Sequence, residues 1–232
     1  MGEFAALDNP SWSSLTGPHA AFAQRHGQVL RYPADVSPFL GLPPEPGPQA
    51  WADLADLAGP GAVVTVTDPA GVPGDWTVVS RLPGVQLVDD GVAGAEDPEA
   101  VVLTESDVPD MLALVERTRP GPFLPRTIEM GTYLGIRREG RLVAMAGERM
   151  HPPGWTEISA VCTAAECRGQ GLGTRLVLAV VAGIRARGER PFLHAAASNT
   201  GAIRLYESLG FRLRAQPDFV SLRAPAVEVS AV

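Results

Sequence analysis

Apolar positions recur with two different periods along the second half of the chain. Short apolar or alternating runs over residues 101–104, 131–137, 142–149, 157–163, 192–196, 211–213 and 219–222 read as strands. Between them the spacing changes to three and four. Val108, Met111, Leu112 and Val115 share one face of a helix that starts at Ser106-Asp107-Val108-Pro109 and runs to Arg117. Leu172, Leu176, Ala179, Val180 and Ile184 form the apolar stripe of a second helix, which Arg185, Arg187 and Gly188 bring to a stop. A third helix spans 200–209 and ends at Gly210. Turns at Arg138-Glu139-Gly140 and Pro152-Pro153-Gly154 separate neighbouring strands. The order β-α-β-β-β-α-β-α-β-β predicts a mixed α/β sheet flanked by helices.

The first 96 residues are turn-rich. Trp12, Leu15, His19 and Phe22 share a helical face, which predicts a helix over 11–25 capped by Asn9 or Ser11. The proline-dense stretch 42–48 must be a loop. Trp51, Leu54, Ala55 and Leu57 predict a short helix ended by Gly59-Pro60. Residues 63–67, 76–82 and 85–88 read as strands, with turns at Asp68-Pro69 and Pro83-Gly84. Trp12, Trp51 and Trp76 are expected to build a small core. The acidic, glycine-containing stretch 89–99 reads as a linker. The expected organisation is therefore an N-terminal α/β region, 1–96, and a second domain, 97–232.

Composition narrows the function classes. Of 232 residues, 45% are hydrophobic and 19% charged, which fits a soluble globular protein. The net charge of −7 argues against a nucleic-acid binder and mildly favours a cationic or neutral ligand over an acidic one. All 19 basic residues are arginine, a bias that points to a GC-rich, bacterial genome. Cys162 and Cys167 lack metal-ligand spacing and are expected to pack as small apolar side chains in a reducing cytosol. Residues 1–7 carry no basic leader pattern, and no 18-residue apolar run occurs, so neither secretion nor a membrane span is expected.

The chemistry concentrates in Arg168-Gly169-Gln170-Gly171-Leu172-Gly173, between a strand and a helix. Free N–H groups and the helix dipole make such a turn an anion site. A dinucleotide G-x-G-x-x-G fails in both registers, because residue 174 is Thr174 and residue 176 is Leu176. A P-loop needs a lysine, which the chain lacks.

Arg168-x-x-Gly171-x-Gly173 does resemble the pyrophosphate loop of the GNAT superfamily of acyl-CoA-dependent N-acyltransferases. The preceding 157–163, and the later Asn199 with Ala202-Ile203-Arg204-Leu205-Tyr206-Glu207-Ser208-Leu209-Gly210-Phe211, match that family's elements in the same order. The resemblance covers roughly residues 100–223. It implies the GNAT fold, a mainly antiparallel mixed sheet whose central parallel strand pair splays, with a degenerate copy of that sheet as a reading of residues 1–96. It implies acetyl-CoA as cosubstrate and no metal. It implies that Val161, Cys162 and Thr163 bind the pantetheine arm through backbone groups, and that Arg168, Gly169, Gln170, Gly171, Leu172, Gly173 and Thr174 cradle the pyrophosphate. It implies that Asn199 contacts the CoA arm. Tyr206 matches the general acid that protonates the departing thiolate. Glu148 and Glu157 are both candidates for the base, with His151 and His194 behind them. The implied activity is acetyl transfer to a primary amine of a small molecule or peptide, in the cytoplasm, by a monomer or homodimer. A non-catalytic acyl-CoA-binding module is the alternative.

Overall fold

The computed structural model describes residues 2–226. The chain begins with helix α1 (Pro10–Leu15), a small sheet of β1 (Gln24–His26), β2 (Val29–Arg31) and β3 (Leu40–Gly41), and helix α2 (Pro48–Ala58). Strands β4 (Val63–Thr67) and β5 (Thr77–Asp89) follow, then the short β6 (Val101–Val102) and helix α3 (Val108–Thr118). The remaining elements are β7 (Tyr133–Arg138), β8 (Arg141–Glu148), β9 (Trp155–Thr163), helix α4 (Leu172–Ala186), β10 (Arg190–Ala196), helix α5 (Thr200–Ser208), β11 (Phe211–Ala215) and β12 (Asp218–Arg223). Those from β6 onward agree in type and order with the apolar periodicity.

One sheet runs in the order β4-β12-β5-β10-β9-β8-β7-β6, with β11 pairing β5. All its neighbours are antiparallel except β9 and β10. Helix α4 packs its buried Leu172, Leu176, Val177, Val180, Val181 and Ile184 into the main core, together with Met111 and Leu114 of α3. That stripe is why a chain segment with this spacing folds as a helix on a sheet.

Strand β5 departs from the expected two strands and a turn. It runs unbroken through Pro83-Gly84 because its two halves have different partners. Residues before Gly84 pair with β12, and those from Gly84 onward pair with β10 and β11. Proline lacks a donor, but Gly84 N–H donates to Pro217 O at 2.8 Å and Pro83 O accepts from Ala197 N–H at 2.8 Å, so the changeover stays bonded. A Cβ at Gly84 would stand 2.6 Å from the Phe219 ring, so this crossing needs glycine.

The expected division at residues 96–97 therefore does not separate two sheets. Strand β5 lies N-terminal to it, yet forms the centre of the sheet. The described residues up to 96 contribute a separate three-stranded sheet, β1-β2-β3, and two strands, β4 and β5, of the large sheet, with no copy of the splayed pair among them. The expected helix 11–25 ends at Leu15, where Gly17-Pro18 removes a helical donor, and Gln24 already belongs to a strand. Trp51 and Trp76 pack edge-on at 5.4 Å, but Trp12 joins a different cluster with Leu7, Tyr32 and Trp155. The stretch 89–99 is no free linker. Asp89 accepts from Gly91 N–H, Val92 N–H and Arg185, Val92 is buried, and Asp97 takes a two-pronged bond from Arg175.

Gly94 fixes that strap against α4. A Cβ there would lie 2.8 Å from both Cα and N of Ala182, backbone atoms that cannot swing aside. Gly94→Ala is expected to destabilise the fold by about 1–3 kcal/mol, the usual cost of overpacking, measured as a lower urea midpoint at unchanged m-value.

Candidate active site

Strands β9 and β10 stay in register only from the pair Trp155/Arg190 to the pair Ile158/Leu193. Beyond that they separate. The cause sits on the other edge of β9. Ala160 and Val161 together oppose the single residue Ala146 of β8, a bulge that bends the strand. Ala160 holds φ at +53°, a left-handed conformation that costs an alanine about 1–2 kcal/mol. The gap widens into a cavity of about 580 Å³, lined on one side by residues 158–163 and on the other by His194, Ala195, Ala196 and Asn199.

Backbone donors face this gap. Ala164 N–H donates to Val143 O at 2.7 Å, toward β8. Donor direction alternates along a strand, so Cys162 also faces β8, while Val161 and Thr163 turn their N–H groups toward the gap. Arg168 follows directly, lines the cavity and reaches Thr163 O at 3.4 Å. Gly169 and Gly171 take φ of +77° and +74°, which lets the chain turn sharply into α4. Among the described residues no acceptor takes the N–H groups of Gly169, Gln170, Gly171, Leu172 or Gly173. They form a donor cluster at the positive end of a fifteen-residue helix. Thr174 lies in its first turn.

Asn199 caps α5, its Oδ1 accepting from Ala202 N–H at 3.2 Å, and also lines the cavity. Two turns further, Tyr206 lines it too. Burial pushes its phenol up to about 12, so it carries its proton throughout the neutral range.

The two candidate bases are placed differently. Glu157 is wholly buried and does not line the cavity. Its Oε2 accepts from Arg149 Nε at 2.8 Å, and its Oε1 from Arg149 Nη2 at 2.7 Å and His194 Nδ1 at 2.8 Å. Burial alone would raise its pKa, but the Arg149 charge and these hydrogen bonds outweigh it and bring it down to about 2. His194 is occupied as well. Gln86 Nε2 lies 2.9 Å from Leu7 O and 3.1 Å from His194 Nε2, and Arg214 donates to Gln86 Oε1 at 2.7 Å. These contacts fix the Gln86 amide, so His194 accepts at Nε2 and donates from Nδ1. Glu148 is buried away from the cavity, accepting from Arg187 at 2.8 Å and from Thr132 N–H at 3.2 Å. His151 packs on His19 at 4.8 Å and is likewise absent from the cavity wall.

Sequence reasoning missed the far wall. Phe39 and Thr65, from the N-terminal stretch, join Leu82 and Phe219 there. Arg149 is 8% exposed and stacks its guanidinium 4.7 Å above the Phe39 ring. No local pattern marks Phe39; it reaches the site because of the bridge Phe39–Thr65.

Comparisons with known proteins agree with this geometry. The profile of the FR47-like protein family matches residues 133–220. A solved structure from Novosphingobium aromaticivorans, assigned to the GNAT family as an acetyltransferase, superposes with a TM-score of 0.84 at 43% identity, covering 93% of this chain and 97% of that one. A GCN5-related N-acetyltransferase from Kribbella flavida shares the fold at a TM-score of 0.59 and 20% identity, over 94% of this chain and 97% of its own. The mycothiol acetyltransferase of Thermobispora bispora is 48% identical over 56 residues, which is 24% of this chain and about a fifth (19%) of that protein's length. With the splayed strand pair and the bulged β9 on one cavity that Arg168 also lines, and with the Novosphingobium relative 43% identical over 93% of this chain, the chain belongs to the GNAT family of acetyltransferases.

Proposed function

We propose that this protein transfers an acetyl group from acetyl-CoA to an amine by direct attack within a ternary complex. The observation that carries the reading is one cavity whose wall runs from Val161, Thr163 and Arg168, where the glycine turn begins, to the buried, protonated phenol of Tyr206. The donor cluster at 169–173 suits a pyrophosphate. The outward N–H groups of Val161 and Thr163 suit a pantetheine amide chain laid along β9 as an added strand. Acetyl-CoA bound in this way supplies an activated thioester. Tyr206 then holds a proton for the departing thiolate, and its phenol is matched to that task because it stays neutral until transfer.

Glu157 does not take the proton of the amine in this reading. A carboxylate held near pKa 2 and saturated by Arg149 and His194 is a poor acceptor, and Glu148 faces Arg187 instead. The acceptor amine arrives unprotonated or yields its proton to solvent. Glu157 positions the wall: it holds Arg149 and His194 at the cavity.

Tyr206→Phe is expected to lower kcat by about 10²-fold or more, the range for losing a general acid, with the Kd for acetyl-CoA changed less than about threefold. Calorimetric binding alongside thiol-release kinetics checks both. Gly171→Val should do the reverse. A β-branched residue is strained at this left-handed φ and disturbs the donor cluster, so acetyl-CoA affinity falls by about tenfold or more.

Glu157 also predicts acid sensitivity. Its folded pKa lies below the ordinary value of 4.5, so its stabilisation is complete above that pH and is lost as pH falls toward about 2. Urea unfolding of the wild type should lose stability steadily between about pH 5 and 2. Glu157→Gln should be less stable at pH 7 and flatter across that window.

A further inference from the structure

We propose, resting on the acetyl-transfer reading, that the acceptor is a small α-amino acid or amino-acyl compound with an apolar or aromatic side group, and not a polycation. Its carbonyl or carboxylate oxygen would dock on Arg149, and its side group on Phe39 and Phe219.

The far end of the cavity has a defined chemistry. Phe39 and Phe219 stand 6.4 Å apart between ring centroids, and His194 meets Phe219 edge-on at 5.6 Å. The Arg149 guanidinium covers Phe39. Two of its nitrogens, Nε and Nη2, serve Glu157. Among the described residues, the third, Nη1, has no acceptor, although Arg149 lines the cavity. Nη1 is not sealed off from the cavity, so a ligand oxygen at this edge can take the place of solvent in a charge-assisted hydrogen bond. The ion pair with Glu157 is neutral as a unit, which is why an amide carbonyl serves as well as a carboxylate.

The charges of the wall point the same way. Its charged side chains are Arg119, Arg149 and Arg168, and among the described residues no aspartate or glutamate lines it. A polyamine or an aminoglycoside would bring several positive charges beside arginines with no carboxylate to pair them. The overall charge of −7 therefore says the opposite of what the cavity says. The nucleophile adds a third constraint. An α-amine beside an amide carbonyl has a pKa of about 8, against about 10.4 for a lysine-type amine, so an amino-acyl amide offers roughly 10²-fold more free base at pH 7, and a free amino acid, whose carboxylate makes its amine more basic, a smaller excess. That advantage matters in a cavity without a free carboxylate to deprotonate it.

The test compares matched acceptors on the full chain, with acetyl-CoA binding measured separately by calorimetry. L-phenylalanine and its amide should be acetylated with kcat/KM at least about tenfold above phenethylamine, which keeps the ring and loses the carbonyl. Spermidine and putrescine should fall about 10²-fold below the amino acid. Phe39→Ala should raise KM for phenylalanine about tenfold while leaving the Kd for acetyl-CoA unchanged. Equal use of phenethylamine, or preference for spermidine, overturns the proposal. So does acetyl-CoA binding with no turnover of any amino-acyl acceptor, and that result leaves the donor site standing. Absence of acetyl-CoA binding overturns the donor reading itself, and the acceptor proposal with it.

Discussion

Glu157 is a buried negative charge, and the arrangement around it is the condition on which the site depends. An isolated carboxylate in this core would be untenable, so it is met by Arg149 in a two-pronged bond and by His194. The network continues through Gln86 to Arg214, which also pairs with Asp8. Its members come from β9, the end of β8, β10, β5, β11 and the N-terminal stretch. A single charge thus fixes the relative placement of adjacent strands at the point where two of them are about to part. Replacing such a pair by apolar side chains can be neutral for stability. What the pair contributes here is position: one polar edge on an otherwise aromatic wall.

The legible parts of the sequence were those whose signal is local. Arg168 at the start of the glycine turn, the strand before it, Asn199 and Tyr206 each sit in a short stretch whose spacing alone restricts the backbone, and the structure brings them to one cavity. Helices α3 and α4 carry their own apolar stripes, and α5 its Asn199 cap. The unreadable parts depend on partners far along the chain. Pro83-Gly84 has the composition of a turn, and becomes a strand only because β12 and β10 bond its two halves. The segment after Leu15 keeps a helical apolar pattern that Gly17-Pro18 cuts short. Glu148 and Glu157 look alike at two strand ends, yet one meets Arg187 and the other Arg149, a difference set entirely by tertiary packing.

Charge is segregated in the same way. The acidic excess lies outside the cavity, where carboxylates pair with arginines in small surface networks, such as Arg137 with Asp107 and Asp110, and Arg175 with Asp97 and Glu99. Pairs of this exposure contribute little each to stability. They do keep arginines, the chain's entire basic complement, occupied at the surface, while the wall of the cavity retains its own.

The unbroken course of β5 has a consequence for how the chain is made. Its contacts are among the longest in sequence: Arg81 meets Asp218 across 137 residues. During synthesis β5 emerges before all its partners, and its apolar half, Val85 to Val88, has no strand to pair with until β10 and β11 have been added. Closing contacts of that span is slow, and an unpaired apolar strand is exposed to misassociation meanwhile. The centre of the sheet is therefore among the last parts of this fold to be completed, and its cavity does not exist until the strand that carries Phe219 has been made.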